Sequence, residues 1–85
     1  PLTIPHWEPL APEEEMTAYR NVPDPQPWSE KSGRLAANPR PRATYAAMVS
    51  RVDRYVGQVM QKLANLGVAD NSLVFFTSDN GGHFK

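Results

Sequence analysis

Two oxygen-bearing side chains, Asp79 and Asn80, follow a continuous apolar segment near the end of the chain. The segment, residues 73–77, reads Leu-Val-Phe-Phe-Thr, and its β-branched and aromatic residues predict a strand buried on both faces. In open α/β sheets, ligands bind just beyond the carboxyl ends of the strands. A carboxylate and an amide oxygen at such a place are suitable ligands for a hard divalent cation.

Residues 79–82, Asp-Asn-Gly-Gly, are also typical of an ordinary turn, because Asp, Asn and Gly dominate turns. From the residue types alone the turn is the commoner case, so both interpretations stay open at this point. The two histidines are further candidates for chemistry. His6 follows residues 2–4, which have the pattern of a strand end terminated by Pro5, and His83 follows the two glycines.

The sequence predicts the elements that would position these residues in the following order along the chain. Within residues 1–20, the strand end is followed by a predicted short helix from Pro12 to Arg20, with three glutamates where the helix dipole favours negative charge. Residues 21–42 are rich in proline, which predicts an extended or turning connector. Residues 43–67 carry apolar side chains at three- and four-residue steps, which predicts a long amphipathic helix.

The long helix also has a predicted end. Its apolar stripe runs from Tyr45 to Leu66, and Gly67 follows at once. Glycine adopts the left-handed conformation that terminates many helices, so Gly67 is expected at the C′ position. Val68 would then fold back onto Leu63 in a Schellman-type cap.

Composition limits the classes of function. The chain has 85 residues, nine acidic and nine basic side chains, and no cysteine. The balanced charge gives no reason to expect a nucleic-acid partner, and no apolar run approaches the roughly 20 residues that span a bilayer, so no membrane partner is expected. The absence of cysteine excludes disulfides and thiolate metal sites within these residues.

The distribution of residues indicates the fold class. All nine prolines precede Ala43, whereas the long periodic pattern follows Pro41. The order of strand end, helix, connector, long helix and buried strand is that of an α/β protein with a parallel sheet. A strand as apolar as residues 73–77 needs cover on both faces and neighbours on both edges. We therefore expect a fragment of an α/β/α sandwich, with the remainder of the parent domain, or another copy of the fragment, as its partner.

Two sets of residues carry a more specific signal, namely Ile4 to Pro12 with Tyr19, and residues 45–49, 52–53, 56–57, 63, 66–67, 70–74 and 76–81. Together they resemble the sulfatase family of the alkaline-phosphatase superfamily. Members of that family have a helix of this type leading into a strand that ends in Ser-Asp-Asn-Gly, and a strand-end motif that contains histidine. The resemblance covers most of the chain, and only the proline-rich middle matches loosely.

The resemblance implies a parent protein that is a sulfatase, an arylsulfatase-like hydrolase of sulfuric esters, with a small molecule or a glycan as its sulfate-ester substrate. It implies that Asp79 and Asn80, in the metal-site loop of residues 78–85, bind Ca²⁺, with Mg²⁺ as the alternative ion. It implies that His6 is a catalytic residue, which contacts the sulfate and protonates the leaving oxygen. His83 would line the substrate pocket or be an ordinary turn residue. The family alone suggests a periplasmic, secreted or lysosomal-type compartment.

One part of the family's catalytic machinery is missing from these residues. The family's nucleophile is a formylglycine made from Cys or Ser in a C/S-x-P-x-R motif, and no residue of this chain stands in that context. We therefore expect an internal fragment of a sulfatase catalytic domain that is inactive alone. Two alternatives stay open: a segment of a related phosphonate or phosphate monoester hydrolase, and a non-catalytic binding module derived from a sulfatase.

Overall fold

The structure is a computed structural model that describes residues 2, 4–5, 10–24 and 37–81. In these ranges the chain forms helix α1 (Glu13–Met16), a 3-10 turn (Thr17–Tyr19), the long helix α2 (Pro41–Asn65) and a second 3-10 turn (Ala69–Asn71). The chain divides into two compact units, Pro1–Asp53 and Arg54–Lys85. The first half of α2 belongs to the first unit and its second half to the second.

Helix α1 is a single turn of α-helix. The carbonyl oxygen of Pro12, its N-cap residue, accepts hydrogen bonds from the amides of Glu15 (3.0 Å) and Met16 (3.3 Å). Three glutamates occupy this turn, where the partial positive charge of the helix N-terminus favours carboxylates. The backbone then tightens into the 3-10 turn that ends at Tyr19. The helical segment thus begins one residue after Pro12 and ends one residue before Arg20, the two limits predicted from the sequence.

A carboxylate from an earlier part of the chain caps the start of α2. The oxygens of Asp24 accept hydrogen bonds from the backbone amides of Arg42 (2.7 Å) and Ala43 (3.4 Å). The first amides of a helix have no partner within the helix itself, so such a cap stabilises the first turn. Pro41, which has no amide hydrogen, takes the first helical position. The helix therefore begins two residues before the predicted limit at residue 43, and the connector is correspondingly shorter.

The end of α2 has the predicted Schellman geometry. Gly67 has a φ of 69°, in the left-handed region that a side chain disfavours. Its amide donates to the Ala64 carbonyl oxygen (2.9 Å), and the Val68 amide donates to that of Leu63 (3.1 Å). These two hydrogen bonds define the motif and satisfy carbonyl groups that the helix leaves unpaired. The predicted cap at Gly67 and Val68 is confirmed.

A small apolar core lies between α1 and the first turns of α2. Met16, Ala43 and Ala47 are buried, and Ala11, Tyr19 and Val22 pack against them. Thr44 is buried beside this core, and its hydroxyl group donates a hydrogen bond to the Arg40 carbonyl oxygen (2.8 Å). The buried hydroxyl is therefore paired, as a polar group removed from water must be.

Two ion pairs of different burial connect α1 to Arg40, the residue before α2, and to Arg51 in the middle of α2. Arg40 Nη2 donates to both carboxylate oxygens of Glu13 (2.9 and 3.0 Å), whose side chain is 77% exposed. Arg51 donates to Glu15 through Nε (2.9 Å) and Nη2 (2.7 Å), and the Glu15 side chain is only 10% exposed. The second pair has the two-pronged geometry that suits guanidinium and carboxylate groups.

The second unit ends in an extended, exposed segment. Ser72 has extended backbone angles, and residues 72–78 have no regular secondary structure. The side chains of Leu73 and Phe75 are 81% and 83% exposed. The predicted buried strand over residues 73–77 is therefore not observed. A strand requires a hydrogen-bonding neighbour and apolar cover, and the part of the chain that the structure describes offers this segment neither.

The predicted N-terminal strand end is also not observed where it can be followed. Leu2 and Ile4 have no regular secondary structure, and Thr3 lies outside the described residues. Of the expected α/β/α architecture, the described ranges thus contain helices and no strand. None of the helices in these ranges is both long and apolar enough to cross a membrane.

Candidate functional site

The candidate metal-binding loop begins where the extended segment ends. Asp79 and Asn80 form a bend and are exposed. The Ser78 hydroxyl group hydrogen-bonds to the Asn80 carbonyl oxygen, which closes the bend from one side. The side-chain amide of Asn80 donates through Nδ2 to the Gly81 carbonyl oxygen at 2.7 Å, which closes it from the other. Local hydrogen bonds therefore give this loop its shape.

These hydrogen bonds leave the side-chain oxygens of Asp79 and Asn80 available to bind a cation. Asn80 uses its Nδ2 atom as a donor, so its Oδ1 atom is the part of the side chain that remains for another ligand. In the ranges that the structure describes, no hydrogen bond or ion pair involves the carboxylate of Asp79. An exposed carboxylate beside an exposed amide oxygen is a suitable pair of ligands for a cation that prefers oxygen.

The loop fits a divalent cation only as part of a coordination shell. Calcium takes about six to eight oxygen ligands, and magnesium about six. Asp79 and Asn80 supply two side chains, and the described residues contain no group of three or more His, Cys, Asp or Glu side chains that could hold a metal ion. The chemistry of the two side chains thus fits Ca²⁺ or Mg²⁺, with further ligands required from elsewhere.

The other predicted site residues cannot be followed in the structure. His6 and His83 both lie outside the described residues. Asp79 and Asn80 are neighbours in sequence, and no other predicted site residue is brought to them within the described ranges. The roles predicted for the two histidines remain predictions.

The sequence pattern did not indicate two polar residues that organise the first unit. The sequence places Asp24 only in the connector, yet it caps α2. A signal existed: the residue before Pro41 is an arginine rather than a usual N-cap residue, so an external cap was needed. The sequence indicates only a favourable interaction of Glu15 with the helix dipole, whereas its ion pair with Arg51 joins residues 36 positions apart. No local pattern reveals such a pair.

Comparison of the sequence with known protein families identifies the family of this chain. A family model described as Sulfatase matches residues 3–85, which include the apolar segment, the candidate loop and both histidines. The chain belongs to the sulfatase family. The resemblance drawn from the motifs is therefore confirmed, and membership implies the alkaline-phosphatase-like fold, whose sheet does not appear within the described residues.

Individual relatives agree with this family. The chain is 48% identical over 40 residues to N-acetylgalactosamine-6-sulfatase of Mus musculus, covering 47% of this chain and 8% of the relative. It is 50% identical over 46 residues to N-sulphoglucosamine sulphohydrolase of Homo sapiens, covering 51% of this chain and 9% of the relative. It is 28% identical over 115 aligned positions to an uncharacterized sulfatase of Schizosaccharomyces pombe, covering 95% of this chain and 21% of the relative.

These matches are short compared with the relatives themselves. The chain spans between 8% and 21% of the length of the three proteins. No solved structure matches the chain at a significant level. The matched segments are therefore local parts of much longer sulfatases.

Proposed function

We propose that the chain is part of a sulfuric ester hydrolase and supplies cation ligands and a sulfate-contacting histidine to its active site. The observation that carries the proposal is the family match over residues 3–85, which includes His6, Asp79 and Asn80. The relatives support it, since several are named as sulfatases. The substrate class is a sulfate ester, of a small molecule or a glycan.

In this proposal Asp79 and Asn80 hold a divalent cation, Ca²⁺ or Mg²⁺, together with ligands from other parts of the enzyme. When bound, the cation stabilises negative charge on the sulfate oxygens. The carboxylate of Asp79 supplies the charge for binding, and the Oδ1 atom of Asn80 supplies a neutral ligand. The hydrogen bond from Asn80 Nδ2 to the Gly81 carbonyl oxygen supports this role, because it fixes which end of the amide is left free.

His6 contacts the sulfate and donates a proton to the leaving oxygen. An imidazole group suits this step because its charge changes near neutral pH. The nucleophile is expected to be a formylglycine, which these residues do not encode, since the chain has no Cys and no Ser in the C/S-x-P-x-R context. His83 is a candidate for the wall of the substrate pocket.

The test compares two Asp-Asn pairs in the parent enzyme. Asp79→Ala removes a proposed ligand, whereas Asp70→Ala changes the exposed aspartate of the Ala69–Asn71 turn and is the matched control. We expect Asp79→Ala to lose most of its bound metal, measured by elemental mass spectrometry, and most of its aryl sulfatase activity. Asp70→Ala should keep both.

Substrate choice separates the proposed activity from the alternative hydrolases. An aryl sulfate and the matching aryl phosphate should be assayed with the same preparation. Preferential turnover of the phosphate would replace the proposal with a phosphate monoester hydrolase. Unchanged metal content in Asp79→Ala would remove the ligand role from this loop, whichever substrate is preferred.

A further inference from the structure

The asparagines of this chain differ in the backbone nitrogen that follows each of them. The side-chain amide of an asparagine is open to attack by the backbone nitrogen of the next residue, which replaces the amide nitrogen and closes a ring. The availability of that nitrogen therefore decides whether an asparagine is chemically stable. The chain has five asparagines, all within the described residues, namely Asn21, Asn38, Asn65, Asn71 and Asn80.

Four of the five asparagines are followed by a nitrogen that is not available. Three of these nitrogens donate hydrogen bonds to carbonyl oxygens: Val22 to Tyr19 (3.0 Å), Leu66 to Lys62 (3.0 Å) and Ser72 to Ala69 (3.2 Å). Such a hydrogen bond must open before the nitrogen attacks, which slows the step about two- to ten-fold. The fourth asparagine, Asn38, precedes Pro39, whose nitrogen carries no hydrogen.

Asn80 is followed by an amide that is available. Within the described ranges the backbone nitrogen of Gly81 donates no hydrogen bond, and both residues are exposed and outside any helix or strand. Glycine has no Cβ atom to hinder the approach of its nitrogen, and its backbone is the least restricted. The hydrogen bond from Asn80 Nδ2 to the Gly81 carbonyl oxygen (2.7 Å) also keeps the side-chain amide beside the residue that supplies the attacking nitrogen.

We propose that Asn80 is a site of spontaneous deamidation, by attack of the Gly81 backbone nitrogen on the side-chain carbonyl carbon of Asn80. The nitrogen forms a bond to Cγ, its proton passes to Nδ2, and the Cγ–Nδ2 bond breaks to release ammonia. The product is a cyclic succinimide. Water then opens the ring at either carbonyl group and leaves aspartate or isoaspartate at position 80. Water is the one co-reactant, and nothing is oxidised or reduced.

Deamidation changes the loop that carries the candidate cation ligands. It replaces a neutral amide by a second carboxylate beside Asp79, and the isoaspartate product also lengthens the main chain by a methylene group. The loss of Nδ2 removes the hydrogen bond to the Gly81 carbonyl oxygen that closes the bend. The reaction goes beyond the proposed function and does not depend on it, because no bound cation and no substrate takes part.

The test follows all five asparagines in one sample of the 85-residue chain. The chain is incubated in dilute, mildly alkaline buffer, deamidated peptides are quantified by mass spectrometry, and isoaspartate is labelled with an isoaspartate-specific methyltransferase. We expect Asn80 to react at least about ten-fold faster than Asn71, whose following amide is hydrogen-bonded. In denaturant this ratio should fall about two- to ten-fold, because the hydrogen bond that protects Asn71 is lost. A ratio that stays the same on unfolding would overturn the proposal.

Two variants separate the effect of structure from that of the Asn-Gly sequence. Ser72→Gly gives Asn71 the same following residue as Asn80, while the Ala69–Asn71 turn keeps the amide in its hydrogen bond. Asn71 should therefore remain at least about two-fold slower than Asn80 in this variant. Gly81→Ala adds a Cβ that, apart from its chain neighbours, meets no described atom within 4 Å, so the loop should be kept while the attack is hindered.

The Gly81→Ala chain should lose most of the deamidation at Asn80 and keep the slow rate at Asn71. Equal rates at Asn71 and Asn80 in the Ser72→Gly chain would show that the backbone hydrogen bond protects nothing. An undiminished rate at Asn80 in the Gly81→Ala chain would show that the Gly81 nitrogen is not the attacking atom. Either result would refute the assignment.

Discussion

The carboxylate of Asp24 lies 2.7 Å from the backbone nitrogen of Arg42, although 18 positions separate the two residues. Its second oxygen lies 3.4 Å from the nitrogen of Ala43. At the far end of the connector, Asn38 accepts a hydrogen bond from the Arg40 amide through Oδ1 (2.8 Å). Asp24 therefore attaches the first flank of the connector to the N-terminus of α2, to which the second flank is joined along the chain.

Substitution of this cap should weaken the start of α2 specifically. Asp24→Ala is expected to cost about 1 kcal/mol, the usual effect of losing an N-cap carboxylate. Amide hydrogen exchange should accelerate at Arg42 and Ala43, whose hydrogen bonds are lost. Asp53→Ala changes an exposed aspartate within α2 and serves as the control. Equal protection of both amides in the Asp24→Ala protein would show that the cap does not stabilise the helix.

The sequence predicted the helices better than the contacts between them. The stripe from Tyr45 to Leu66 repeats at helical spacing, and Gly67 ends it by a local rule, so both could be read from neighbouring residues. The partners Glu15 and Arg51 are 36 positions apart and obey no spacing rule. Contacts of that kind depend on how the connector folds.

The candidate site could be predicted only in part for a similar reason. The residue types of Asp79 and Asn80 indicate cation chemistry, and the bend that exposes their oxygens follows from Ser78 and Gly81 beside them. The predicted strand before them, in contrast, does not follow from neighbouring residues alone. Pairing of residues 73–77 into a sheet depends on other strands, and the described ranges contain none. An apolar pattern predicts burial but does not supply the surface that covers it.

Two glycines of the second unit should respond to alanine in opposite directions. Gly67 has a φ of 69°, where a Cβ atom is strained, so Gly67→Ala should lower the free energy of unfolding by about 1 kcal/mol. Gly57 lies inside α2, and apart from its chain neighbours and the nearby helix backbone no described atom lies within 4 Å of where its Cβ would be. Gly57→Ala should therefore raise the free energy of unfolding by about 0.4–1 kcal/mol. Thermal unfolding of both variants checks the pair, and a shift of the same sign would contradict it.

The small core of the first unit depends on Met16. Truncation of a buried methionine to alanine costs about 2–5 kcal/mol, and we expect the lower end because the neighbours of Met16 are mostly small. Met60 is 44% exposed in the second half of α2, so Met60→Ala is the matched control and should change stability little. Denaturant unfolding of the two variants gives the comparison. A loss in Met16→Ala no larger than that in Met60→Ala would mean that this core contributes no measurable stability.

The exposed segment after Ser72 should make the 85-residue chain associate with itself when it is isolated. Residues 73–76 are all large and apolar, and Phe75 is 83% exposed. No charged residue lies between Asp70 and Asp79, so nothing repels a second copy that pairs along this extended backbone. Phe75→Lys should place a charge in the contact and shift sedimentation toward the monomer over a range of protein concentrations. Val59→Lys introduces the same charge at an exposed apolar position of α2 and should leave association unchanged. An isolated chain that sediments as a monomer at every concentration, before any substitution, would refute the expectation.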